Sequence, residues 1–129
     1  MPQESGSVNA LREAIVEIRF VEGDSQECVV DTGFDGALIL PASIAEGHAF
    51  PVVARLVFEL VGGARMSANV ALGEVEWLGK RRSVEVIISE SNDTPIGTEM
   101  FGGATLVVNY ANRLVSISRD DQFDEPAIS

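Results

Sequence analysis

The stretch Cys28-Val-Val-Asp-Thr-Gly-Phe-Asp-Gly-Ala-Leu-Ile-Leu40 decides the fold, because a short polar turn in it separates two apolar runs. Asp31, Thr32 and Gly33 follow two valines that are typical of a buried strand. A buried carboxylate without a partner would be strongly unfavourable. Asp31 therefore either accepts backbone hydrogen bonds in an ordinary turn, which is a common role of aspartate, or is presented at the surface for use.

The composition indicates one folded domain and excludes some partners. The chain has 129 residues, of which 46% are apolar and 22% charged, so a single core is expected. Twenty acidic against nine basic residues give a net charge of −11, which makes nucleic acid and anionic membranes unfavourable partners. The chain shows neither a membrane-spanning run nor a signal peptide, which predicts a cytoplasmic protein.

The rarest reactive residues offer little chemistry. Cys28 is the only cysteine, so no internal disulfide and no cysteine metal site are expected, and neither a metal nor another cofactor is predicted. His48 is the only histidine, and no Gly-x-Ser-x-Gly motif accompanies it. It is interpreted as a surface loop residue.

Alternating apolar residues predict a series of β-hairpins, with Gly62-Gly63 at the tip of the longest one. The predicted strands are 14–20, 27–30, 37–40, 54–61, 66–72, 74–78, 84–88, 105–110 and 113–117, with a turn at 79–81 and helical turns at 42–46 and 98–103. The predicted organisation is a flexible segment over 1–9, an all-β domain over 10–119 and an acidic, disordered tail over 120–129.

Three features occur in an order that resembles a known family. Asp31-Thr32-Gly33 follows Val29-Val30, a hairpin with a glycine tip comes next, and Pro95-Ile96-Gly97 opens a helical turn. This combination is similar to the retropepsin-like aspartic proteases, the retroviral-type family with single-domain members in bacteria. The resemblance covers roughly residues 12–118. It implies a small closed β-barrel with one short helix, functional as a homodimer.

The resemblance also implies roles for individual residues. Asp31 looks like the catalytic aspartate, Thr32 like the hydroxyl that grips the partner's equivalent turn, and Gly33 like the glycine beside the substrate backbone. The other implied positions are Phe34 and Asp35 at the substrate, Val61, Gly62, Gly63 and Ala64 in a flap over the substrate, and Ile96 and Gly97 as support behind the active loop.

The implied reaction is peptide hydrolysis by two carboxylates that share one proton, one acting as general base on water. The chain has a single Asp-Thr-Gly, so two copies would have to meet. The leading hypothesis is therefore a homodimeric aspartic endopeptidase that acts on a peptide or protein substrate.

The chain departs from the family pattern at two positions. The residue after the glycine is usually small, whereas here it is Phe34, and the arginine expected after Ile96-Gly97 is Thr98. Arg12 or Arg55 would have to replace that arginine as a partner of Asp35. The alternative hypothesis is a catalytically silent dimeric β module that binds extended peptides, and a third is a structural assembly domain without a groove between subunits.

Overall fold

A computed structural model of the protein describes residues 3–120 and shows one sheet of ten strands. The strands are β1 (Gln3–Val8), β2 (Ala14–Phe20), β3 (Ser25–Val30), β4 (Leu38–Pro41), β5 (Val52–Glu59), β6 (Arg65–Trp77), β7 (Lys80–Ser89), β8 (Pro95–Ile96), β9 (Ala104–Asn109) and β10 (Leu114–Arg119). Helix α1 spans Ala42–Gly47, and a single 3-10 turn spans Thr98–Phe101. The prediction of an all-β fold with one short helix is confirmed.

The strands follow the order β5-β6-β7-β4-β8-β3-β2-β1-β10-β9, and β6 also pairs with β2. Alternate residues of β2 are buried, as expected for a strand with one face on the core. Trp77 lies at the centre of that core, fully buried, and its indole N–H donates to the Met100 carbonyl at 2.8 Å. This bond ties β6 to the turn that follows β8.

Strand β6 is longer than predicted. The sequence suggested two strands, 66–72 and 74–78, and the structure has one continuous strand from Arg65 to Trp77. Gly73 lies inside it, and a Cβ there would be 3.3 Å from a Val86 methyl carbon, so this glycine accommodates packing and does not end the strand. The turn after it uses Leu78 and Gly79, both at positive φ (50° and 77°), and not the predicted 79–81.

The N-terminal segment belongs to the sheet, which corrects the predicted domain start at residue 10. Strand β1 pairs with both β2 and β10. Its Glu4 is 5% exposed and accepts two hydrogen bonds from the Arg19 guanidinium (3.0 and 2.9 Å) and one from the Leu78 N–H. The hydrogen bonds between Arg19 and Glu4 raise the pKa of Arg19, and all three bonds compensate for the burial of the carboxylate.

His48 follows α1 in a loop, but its side chain is not a surface side chain as predicted. Its imidazole is 11% exposed and pairs through Nδ1 with the Glu22 carboxylate. The ring lies 4.5 Å from Phe20 and stacks on Phe50 at 5.0 Å between centroids. The positive φ of Ala49 (54°) turns the chain here, so that the segment leading into β5 packs against β2.

The predicted tail begins at residue 120, and 121–129 lie outside the described residues. Within 3–120, no helix has the length and apolar character that crossing a membrane requires. The same range contains no group of three or more histidine, cysteine or acidic side chains arranged to hold a metal ion.

Candidate functional site

Asp31 lies at the exposed end of β3, at the start of a tight turn. The Gly33 N–H donates to Asp31 Oδ1 at 3.0 Å, and the Phe34 N–H donates to the Asp31 carbonyl at 3.1 Å. A Cβ at Gly33 would lie 3.3 Å from Oδ1, which is closer than most such contacts. The turn therefore fixes the carboxylate while leaving it at the surface, and Thr32 beside it is also exposed.

A short parallel strand pair fixes the position of Asp31. The Val29 N–H donates to the Thr94 carbonyl at 2.9 Å, and the Asp31 N–H donates to the Ile96 carbonyl at 3.0 Å. Ile96 is completely buried, so β8 is anchored in the core. Residues far apart in the chain are thus joined directly beneath the candidate carboxylate.

The loop after Asp31 is held by backbone contacts to 97–99. The Gly97, Thr98 and Glu99 N–H groups donate to the carbonyls of Ala37, Phe34 and Gly36 at 2.9, 2.8 and 3.2 Å. A Cβ at Gly97 would lie 2.2 Å from the Gly36 oxygen and 2.6 Å from the Phe34 oxygen. Only glycine permits this approach of the two backbones.

The ring of Phe34 packs onto its own loop. A Cβ at Gly36 would lie 2.6 Å from Phe34 Cζ, and one at Gly97 would lie 2.6 Å from Phe34 Cδ2. The side chain is half-buried, so part of the ring remains available to a neighbouring molecule. Two glycines therefore provide the space that the large side chain at position 34 requires.

Asp31 and Thr32 line a cavity of about 560 Å³. The other lining residues are Arg12, Glu13, Ala14, Val29, Val30, Asp93, Thr94, Pro95, Leu106, Val108 and Tyr110. The cavity combines apolar walls with a few charged and hydroxyl groups, which is typical of sites that bind a ligand. The sequence indicated Asp31 and Thr32 but gave no sign that β9 and Tyr110 lie beside them, because that contact depends on the packing of distant strands.

The glycine-tipped hairpin of β5 and β6 stands apart from this cavity, whose lining includes none of its residues. Gly62 and Gly63 have φ of 99° and 89°, and Val61 is fully exposed. The register pairs Leu56 with Ala68 and Phe58 with Met66 on one face, and Arg55 with Asn69 on the other. The hairpin is therefore amphipathic, and its apolar face is not covered within the described residues.

Asp35 is exposed at the loop. Arg55, one of the two arginines suggested for it, donates to Ser67 Oγ at 2.9 Å. Arg12 lies at the cavity that holds Asp31.

Cys28 is buried below the loop, and burial, with a contribution from Glu27, raises the pKa of its thiol to about 12. A thiol with that pKa is an unreactive core side chain.

Comparison with models of protein families and with curated proteins gives no match. Comparison with solved structures gives clear similarities of fold. A retropepsin-like aspartic protease from Rickettsia conorii superposes with a TM-score of 0.66 at 12% identity, over 89% of each chain.

Two viral enzymes are also similar. The simian foamy virus (mac) protease has a TM-score of 0.53 at 12% identity and covers 68% of this chain and 91% of its own. The EIAV protease, in complex with the inhibitor HBY-793, has a TM-score of 0.57 at 15% identity and covers 77% of this chain and 96% of its own. The chain therefore has the fold of the retropepsin-like aspartic proteases.

Proposed function

We propose that the protein is a homodimeric aspartic endopeptidase in which Asp31 of each copy contributes one carboxylate to a shared dyad. The observation that supports this most is the turn at Asp31, where Gly33 orients an exposed carboxylate at the mouth of a cavity. The similarity of fold to aspartic proteases adds to it.

In the proposed reaction, one carboxylate of the dyad is ionised and the other protonated. The ionised group takes a proton from a bound water, which attacks the peptide carbonyl, while the protonated group donates a hydrogen bond to the carbonyl oxygen. The proton then passes to the leaving amine. Thr32 holds the partner's turn, and the exposed parts of Phe34 and Asp35 contact substrate.

The flap residues Val61, Gly62, Gly63 and Ala64 close over the peptide in this proposal. Two glycines at positive φ make a turn without side-chain obstruction, and open space surrounds both of them. The apolar face of the hairpin would be covered when substrate binds. Ile96 and Gly97 support the active loop through the bonds described above.

Asp31→Asn tests the proposal. With a library of peptides from about pH 4 to 7.5, we expect cleavage to fall by about three orders of magnitude or more, because a neutral amide cannot serve as the base. Asp24→Asn, the same change in another exposed turn, is the matched control and should cleave normally. Equal activity of Asp31→Asn and wild type would refute the proposal.

Mixing the two proteins tests the shared dyad. If each site needs Asp31 from both copies, excess Asp31→Asn captures wild-type subunits in inactive dimers and lowers their activity. Activity that is independent of added Asp31→Asn would show that one chain is sufficient.

A second candidate function is binding of extended peptides without cleavage. The observation that favours it is the edge strand β5, which pairs only with β6 within residues 3–120 and carries exposed apolar side chains. A peptide could add to this edge as a further strand. Binding of peptides by wild type and Asp31→Asn alike, without cleavage by either, would support this function.

A further inference from the structure

The cavity at Asp31 carries more negative than positive charge. Among its lining residues, Asp31, Glu13 and Asp93 are acidic, and Arg12 is the one basic residue. The ion pairs found within residues 3–120 involve none of these four side chains. The cavity therefore holds an unbalanced negative charge beside the candidate catalytic carboxylate.

The pairing of strands brings Glu13 close to Asp31. Strand β2 pairs antiparallel with β3, and the register sets Ile15 opposite Val29. Two residues further on, the same register sets Glu13 opposite Asp31. The Glu13 side chain is partly buried at the wall of the cavity.

Asn9 fixes the position of Glu13. The Asn9 side-chain amide donates to Glu13 Oε1 at 2.9 Å, and the Asn9 side-chain oxygen accepts from the Glu13 N–H at 2.9 Å. The Asn9 N–H also donates to the Glu13 carbonyl at 3.0 Å. An amide does not neutralise a carboxylate, and Oε2 makes no hydrogen bond within residues 3–120. Glu13 is thus a pre-positioned carboxylate with one oxygen available to a donor on a ligand.

The walls of the cavity suit a long side chain that ends in a positive charge. The apolar lining residues include Val29, Val30, Pro95, Leu106 and Val108. Lysine and arginine pack their methylene groups on apolar surface and keep the charged end at a polar group. The net charge of −11 also attracts basic peptides over distance and repels acidic ones.

We infer that Glu13 makes the site selective for basic peptides, by pairing with a lysine or arginine side chain of a peptide bound at Asp31. Glu13 is a specificity-determining residue in this inference and takes no part in the reaction. Asp93 is exposed and bonded to the Ser91 hydroxyl, and it adds to the negative charge at the same cavity. The inference rests on the proposed function for its substrate, but selection by binding can be measured without cleavage.

Glu13→Gln tests the role of this carboxylate. A peptide taken from the library for cleavage or for binding is made with lysine or glutamine at one position, and that position is moved along the peptide. At the best position we expect the wild-type kcat/KM to be about tenfold higher for the lysine form, and the ratio to fall to about twofold in Glu13→Gln. Glutamine keeps an oxygen for Asn9, so the two proteins should unfold at similar urea concentrations.

Glu17→Gln is the matched control. It removes the same charge from β2 at an exposed residue that does not line the cavity. The preference for lysine should therefore persist in this variant. Equal loss of the preference in Glu17→Gln and Glu13→Gln would show that net charge alone is responsible and would overturn the inference.

Binding to Asp31→Asn separates selection from reaction. Fluorescence anisotropy with labelled peptides should give a Kd about tenfold lower for the lysine form than for the glutamine form, and adding Glu13→Gln should remove most of this difference. If wild type cleaves nothing but Asp31→Asn shows this preference, only the proposed reaction is contradicted. Equal Kd values for the two forms, or a preference that survives Glu13→Gln, would overturn the inference even if wild type cleaves peptides. A protein that neither cleaves nor binds any peptide of the library would overturn both.

Discussion

The loop that follows Asp31 and the tip of the β5–β6 hairpin both depend on glycine, but for opposite reasons. At Gly97, behind the loop, a Cβ would lie 2.2 Å from the Gly36 oxygen. At Gly62 and Gly63 a Cβ would meet no atom within 4 Å, and the constraint is the positive φ alone. The loop needs the absence of a side chain for packing, whereas the flap tip needs it for backbone conformation.

This difference separates a region with many contacts to the rest of the fold from one that is held only by its own turn. The loop is fixed by backbone hydrogen bonds to β8 and to the 3-10 turn, next to the buried Ile96 and Met100. The tip is held by the bonds between Leu60 and Ala64 and between Gly63 and Leu60. Stability should therefore be lost mainly by changes in the loop, and, if the proposed function is right, substrate binding should be lost mainly by changes at the hairpin tip.

The largest effect is expected for Gly97→Ala. The added methyl group would overlap two backbone oxygens that cannot move without breaking their bonds to Thr98 and Glu99. We expect the free energy of unfolding in urea to fall by about 3 kcal/mol. Gly102→Ala is the matched control, because its Cβ would enter open space, and it should change stability by less than about 0.5 kcal/mol. Similar values for the two variants would contradict the packing argument.

Phe34→Ala should have the next largest effect. Removing a half-buried ring from Gly36 and Gly97 should lower the free energy of unfolding by about 2 kcal/mol, less than for a fully buried phenylalanine. Phe58→Ala makes the same change on the exposed flap hairpin and should lower it by less than about 1 kcal/mol. Equal losses would show that the loop is no better packed than the flap.

Gly63→Ala should lower the free energy of unfolding by about 1 kcal/mol, because a residue with a Cβ is strained at positive φ and glycine is not. Gly63→Asn serves as the control for backbone conformation, since asparagine tolerates positive φ, and should recover part of the loss. Urea unfolding of wild type, Gly63→Ala and Gly63→Asn gives the three free energies of unfolding to compare. No recovery with asparagine would mean that φ is not the cause.

The local pattern around Asp31 could be predicted because its signals are adjacent in sequence. Val29-Val30 marks the strand, and Asp31-Thr32-Gly33 marks the turn that ends it. The glycine-tipped hairpin was predictable for the same reason. The ring of Phe34 on Gly36 and Gly97 was not, because the sequence does not show where a large side chain finds space.

The missed features depend on partners that are distant in the chain. Strand β1 is polar, and the buried Glu4 carboxylate in it is satisfied by Arg19 and by the Leu78 N–H, which are distant in the chain. His48 looked exposed because nothing near it in sequence predicts packing against Phe20. Strands β9 and β3 are separated in the sheet by β2, β1 and β10, so the position of β9 beside Asp31 is seen only in the folded structure, where both line one cavity.

Val61→Ser should have the smallest effect on stability and a selective effect on function. Val61 is fully exposed at the flap tip, so the free energy of unfolding should change by less than about 0.5 kcal/mol. If the tip closes over a peptide, the lost apolar contact should raise KM about fivefold with kcat nearly unchanged, because binding is weakened equally before and during the reaction. Val53→Ser, at the root of the same hairpin and half exposed, removes the same groups away from the tip and should leave KM unaltered. Equal KM values for the two variants would mean that the tip does not contact substrate, and the hairpin tip would then differ from the loop only in packing and backbone conformation.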